Sequence, residues 1–148
     1  MTNAARQLLD LLDIEQLEVD LFRGTGAGGE TSMRIFGGHV IAQALMAAYR
    51  TVPDRACHSL HAYFIRPGDP KIPVIYQVDR ARDGGSFTTR RVVAIQHGKQ
   101  ILNLSASFQV EEEGFDWQHE MPQVSAPENW PDRPELREAF ADELPEKY

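Results

Sequence analysis

Two histidines three positions apart, His58 and His61, stand in the strand-forming run CHSLHAYFI. Imidazole is the side chain best suited to exchange a proton near neutrality. In an extended strand His58 shares a face with Leu60, Ala62 and Phe64, while Ser59, His61, Tyr63 and Ile65 share the other. His58 thus goes with the more apolar set, either as a hydrogen-bonded structural histidine or as the best base in the chain. Ser59 faces away from it and no GxSxG turn is present, which argues against a serine nucleophile. Upstream, Gly37 and Gly38 open the segment HVIAQALMAAYR. Glycines at a helix start let backbone approach a ligand closely, and the free N–H groups with the positive dipole end can face a developing oxyanion. The plainer reading is a tight turn onto a closely packed helix. His39 either touches a ligand at that terminus or serves a cap or solvent-facing role. Gln43 could hydrogen-bond a ligand or neighbouring backbone. No carboxylate stands between His39 and Arg50, and Asp54 is the only acid from Thr31 to Arg66.

The elements that must position these residues follow from periodicity. Residues 3–12 predict a short helix capped by Thr2 or Asn3, with Leu8, Leu9, Leu11 and Leu12 as its apolar face. A short strand near Glu18 to Arg23 leads into Gly24 to Gly29, whose glycines lack phosphate-loop spacing and read as a surface loop. The segment from Gly38 to Arg50 has almost no polar face and predicts a buried helix, with Ile41, Ala44, Leu45 and Ala48 inside. Four strand-like runs follow: residues 57–65, 72–78, 86–96 and 100–110. The connectors DRARDGG and HGK are short and contain glycine, as antiparallel hairpins require. One buried helix followed by antiparallel strands gives an α+β domain, a sheet wrapped around a single long central helix. The last two strands, being long, would leave an exposed edge or an apolar sheet face unless something pairs with them. Residues 133–144 could form a helical turn or two.

The net charge of −7 is unevenly placed. Residues 1–110 carry 12 Lys/Arg against 10 Asp/Glu, whereas residues 111–148 carry 3 against 12 and five of the nine prolines. We therefore expect a mildly basic domain over residues 1–112 and an acidic, proline-containing linker over 113–148. A mildly basic surface suits a small anionic ligand and makes a poor nucleic-acid face. No apolar run is long enough to span a membrane, the N-terminus lacks a signal-peptide layout, and no Cys/His spacing suits a metal. The lone Cys57 reads as a small strand residue. A cytoplasmic protein with neither metal nor cofactor is expected.

The blocks FRG (22–24), FGGHVIAQAL (36–45), HSLHAYFIRPGD (58–69), RDGGSFTTRRVVAIQHGK (82–99) and SASFQ (105–109) together resemble the N-terminal half of the acyl-CoA thioesterase II family. That resemblance implies a hotdog domain from a tandem double hotdog, hydrolysing fatty acyl-CoA to free fatty acid and CoA. It also implies that the main Asp, Thr and Gln of the active site belong to a second hotdog, absent from this sequence and reached through the 113–148 linker. On this view Gly37, Gly38, His39 and Gln43 are substrate-binding candidates, and Arg66, Arg90 and Arg91 are candidates for the CoA phosphates. Arg90 and Arg91, adjacent on a strand, face opposite sides, so at most one meets a given ligand. His58 is the fallback base within this half. The partners implied are acyl-CoA and either a second hotdog or another copy of the chain. The alternatives are a non-catalytic acyl-CoA-binding or assembly module, and an enoyl-CoA hydratase, whose Asp and His pair the chain does not show.

Overall fold

A computed structural model describes residues 2–26, 33–141 and 143. The chain divides into two units, Met1–Glu112 and Glu113–Tyr148.

In the first unit, α1 (Asn3–Leu12) begins where the Thr2 hydroxyl accepts from the Ala5 N–H at 3.3 Å. It buries no residue fully, and Leu8 and Leu9 stay more than half exposed. The expected apolar face is therefore only partly used, by Leu11 and Leu12. The single strand expected near Glu18 to Arg23 is instead a hairpin, β1 (Glu15–Glu18) and β2 (Leu21–Gly24). The turn between them is pinned by Asp20, whose carbonyl accepts from the Val78 N–H and whose carboxylate pairs with Arg80. The glycine-rich stretch beyond Gly26 lies outside the described residues.

Helix α2 (Gly37–Tyr49) follows, then β3 (Ala56–Phe64), β4 (Val74–Asp83), β5 (Phe87–Gln96) and β6 (Lys99–Gln109). All neighbouring strands are antiparallel, in the order β1-β2-β4-β5-β6-β3. The β4–β5 and β5–β6 connections are hairpins as expected. In the latter, His97 and Gly98 both take positive φ, the left-handed pair of a tight hairpin turn. Gly98 meets that conformation without steric cost. The strands expected to leave an open edge, β5 and β6, lie inside the sheet. The edges are β1 and β3, because residues 65–73 carry the chain from one side of the β5–β6 pair to the other.

Every second residue of the central strands faces α2: Val92 and Ala94 on β5, Leu102, Leu104, Ala106 and Phe108 on β6. Ala44, Ala47 and Ala48 of α2 are wholly buried among them, and these small side chains let the helix axis lie close to the sheet. The helix is less enclosed than its composition predicts. Ile41 and Leu45 are partly buried, packed against the core without being enclosed by it. The second unit is largely exposed, with a 3-10 turn (Pro127–Asn129) and a short helix α3 (Arg133–Ala139) closed by a reciprocal Asp132–Glu135 capping box. Among the described residues no helix is long and apolar enough to cross a membrane.

Candidate functional site

A cavity of about 390 Å³ opens at the N-terminal end of α2. Its walls are apolar: Ile35, Gly37 and Val40 from the helix and its approach, Phe64 and Ile65 from the end of β3, Ile101 and Leu102 from β6. Pro67 and Gly68 close one side, and among the described lining residues only Arg34 and Arg66 are charged. No side chain caps the helix, so its first-turn N–H groups keep their positive dipole end toward this region. The arrangement can hold an apolar chain carrying an anionic group. Among the described lining residues there is no carboxylate, imidazole, hydroxyl or thiol, hence no group that could activate water.

The expected site residues separate into three places. Gly37 and Arg66 line the cavity. A Cβ on Gly37 would stand 2.7 Å from the Phe64 ring, so this glycine admits the close approach of a cavity wall. Gly38 lies beside it in the helix. Arg66 is exposed and donates through one Nη1–H to the Gln100 carbonyl at 2.8 Å.

His39, Gln43 and Arg90 lie in the interior. Gln43 donates to the Leu11 carbonyl at 2.7 Å and to the Thr25 carbonyl at 3.4 Å, and accepts from the buried Tyr76 hydroxyl at 2.8 Å. It therefore binds neighbouring backbone, one of the two roles expected of it, and ties α1 and β2 to α2. Burial pushes the Tyr76 hydroxyl pKa well up. His39 is 6% exposed, and burial holds its pKa below the ordinary 6.5 against hydrogen bonding from Gln43 and Thr25. Its Nε2 has no partner among the described residues, which corrects a solvent-facing role. Arg90, expected at the surface beside CoA phosphates, is 1% exposed. Its Nε donates to the Thr51 hydroxyl, one terminal nitrogen to the Arg82 and Thr89 carbonyls, and the other to the Thr51 carbonyl and Asp83. Those bonds use all the guanidinium N–H donors, so Arg90 closes the C-terminal end of α2 against the β4–β5 hairpin and has none left for a phosphate.

His58 and Arg91 lie on the opposite face of the sheet. Strict alternation would place His58 with Leu60, Ala62 and Phe64, but the β3–β6 register slips between Cys57 and Ser59. The bulge turns His58 outward. Its Nε2 hydrogen-bonds the Ser107 hydroxyl at 2.9 Å and its ring meets the edge of Phe87. Ser107 and Phe87 both alternate with core-facing neighbours, so this contact lies across the sheet from the cavity. Arg91 is exposed there beside Asp79 at 4.0 Å, while Arg90 points inward, as adjacent strand positions must. Of the lining residues only Gly37 and Arg66 were site candidates in the sequence; Arg34, Val40, Phe64 and the Pro67–Gly68 wall are among those missed. Phe64 sat on the face assigned to Leu60 and Ala62, and that alternation could have found it.

A six-stranded antiparallel sheet packed on one long helix is the hotdog architecture. The chain matches, with a TM-score of 0.70 and 23% identity, a hotdog-fold protein from Alicyclobacillus acidocaldarius, over 88% of this chain and 49% of that one. It is 46% identical to an acyl-CoA thioesterase II from Mycobacterium marinum, with a TM-score of 0.73 over 86% of this chain and 48% of that one. It is 43% identical over 148 residues to acyl-CoA thioesterase 2 of Haemophilus influenzae, covering 99% of this chain and 51% of that protein. The acyl-CoA thioesterase N-terminal domain family matches residues 27–109. The chain belongs to that family. It spans about half the length of the relatives it matches.

Proposed function

We propose that this chain is the acyl-CoA-binding half of a thioester hydrolase, taking fatty acyl-CoA to free fatty acid and CoA, with the base supplied by a second hotdog. The observation that carries this reading is the cavity at α2: apolar walls and arginines at hand, yet no described lining group able to activate water. Positioning the acyl-CoA is then this half's task. Residues 113–148 act as the acidic linker toward the second domain, and one free cysteine suits a reducing cytoplasm.

The second hotdog pairs at β3. This edge strand is bonded on one side only, to β6. Leu60, Tyr63 and Phe64 on it are all exposed. With the chain alone, a second copy takes that place. Light scattering at high concentration should show a dimer, and a monodisperse monomer would count against pairing. Thiol release from palmitoyl-CoA, compared between this chain and a version carrying a second hotdog, tests the activity. Turnover should appear with the second hotdog and be poor or absent without it. The absence of a base among the described cavity residues equally favours a second reading, a binding module that holds acyl-CoA without chemistry. In that case neither version turns over, while both bind.

A further inference from the structure

One wall of the cavity is irregular chain. Residues 65–73 cross from β3 to β4 with prolines at 67, 70 and 73, and a segment so rich in proline has few N–H groups with which to hold itself in place. Its start is tied by the Ile65 and Arg66 N–H groups, which both donate to the Ile101 carbonyl, at 2.9 and 3.2 Å. Its far end is held by one side chain. Gln96, at the end of β5, is 5% exposed. Its Oε1 accepts from the Asp69 N–H at 2.8 Å, and its Nε2 donates to the carbonyls of Asp69 and Ile72 at 3.0 Å and of Pro73 at 3.3 Å. The amide thus does for this loop what a neighbouring strand would do for a ladder.

The loop passes this constraint to the helix. Gly68 accepts from the Ile35 N–H at 3.0 Å, two residues before α2 begins. A Cβ on Gly68 would lie 3.0 Å from the Ile35 side chain, 3.2 Å from that of Ile101 and 3.3 Å from Gln96 Oε1. Gly68 and Ile35 both line the cavity, so the loop's seat against the helix approach fixes one of the cavity's walls.

We infer that Gln96 is a positioning residue for the acyl-CoA cavity: its amide holds the 66–73 loop against the approach to α2 and so fixes that wall of the cavity. The inference rests on the reading that this cavity takes acyl-CoA. Without the amide, the carbonyls of Asp69, Ile72 and Pro73 lose their shared donor and the loop lifts toward water. The cavity then widens while the sheet and α2, held by their own ladders and core, stay folded.

The test uses this chain, the non-hydrolysable thioether hexadecyl-CoA as probe, and trypsin, which reports loop opening by cleavage after Lys71. Gln96→Leu should weaken probe binding about tenfold and speed cleavage after Lys71 by a similar factor, with the melting temperature lowered by a few degrees and the fold retained. Val40→Trp, which fills the cavity from its helix wall and leaves the Gln96 bonds in place, should also weaken binding but not speed cleavage. If Val40→Trp weakens binding while Gln96→Leu binds and is cleaved like the parent, the inference fails and the acyl-CoA reading stands. If Val40→Trp binds the probe normally, the cavity reading itself is wrong and the inference goes with it. Should Gln96→Leu not fold, Gln96→Glu decides the matter. It keeps the acceptor for Asp69 but loses the donor at neutral pH, so its binding deficit relative to the parent should shrink as the pH falls and the carboxyl regains a proton. A deficit independent of pH, or none, would overturn the inference.

Discussion

The two ends of α2 are built on opposite principles. At the C-terminal end a buried arginine gives every N–H to a named acceptor, and Thr51 is bonded through both its hydroxyl and its carbonyl. At the N-terminal end no side chain caps the helix, and its first residue borders a cavity. The closed end holds the helix to the sheet. The open end leaves polar capacity and apolar wall available to a ligand. The sequence offered both ends to a ligand, Gly37 and Gly38 at one and Arg90 at the other, and only the first borders the cavity.

The contrast can be broken at its strongest point first. Replacing Arg90 with Met would leave the Thr51, Arg82 and Thr89 carbonyls without this donor and release the half-exposed Asp83, and should cost about 3 kcal/mol, chiefly for the carbonyls left unpaired. Chemical denaturation measures it, and a loss below about 1 kcal/mol would mean the network is not structural. Gln43→Leu comes next, because it removes partners from the Tyr76 hydroxyl and the Leu11 carbonyl together. A loss of about 1–3 kcal/mol is expected in the same assay.

His39 adds a pH dependence. Burial holds its folded pKa below the unfolded value of 6.5, so below that value the unfolded chain binds more protons. Stability should therefore decline as pH falls through about 6.5 toward the folded pKa. Melting curves of the parent and His39→Gln across that window should converge above pH 7 and diverge below it. Arg91→Ala gives the smallest effect. Arg91 is exposed on the outer face beside Asp79. Despite being the neighbour of Arg90, it should shift stability by no more than about 0.5 kcal/mol, as surface substitutions usually do. A larger effect would blur the distinction between the two arginines.

The fold was largely legible in the sequence because its signals are local. The glycine-opened apolar helix, the β-rich runs and the turns at Gly84–Gly85 and Gly98 each depend on a few neighbouring residues. What was not legible depends on pairs distant in the chain. The crossing of residues 65–73, which puts β3 rather than β6 at the edge, is decided by packing. The bulge at Cys57/Ser59, which turns His58 away from the cavity, is a register slip of one residue that alternation cannot foresee. Arg90 misled because a charged residue is usually solvated, and only Thr51, Asp83 and the Arg82 and Thr89 carbonyls, once assembled, offset the cost of its burial. Of the cavity's lining, Gly37 and Arg66 were legible as candidates. The loop held by Gln96 was not, since nothing about one glutamine in a strand announces four backbone partners.

This hotdog is proposed to hold acyl-CoA while no base lies among its described cavity residues. The direct measurement is palmitoyl-CoA hydrolysis by the 148-residue chain and by its His58→Ala variant, followed by thiol release with folding monitored alongside. A positioned base typically contributes about 10²–10⁴-fold. The account predicts turnover that is poor or absent in both, and indifferent to His58, because His58 sits across the sheet from the cavity. Robust hydrolysis by the chain alone, lost in His58→Ala without unfolding, would contradict it and place the reaction in this half.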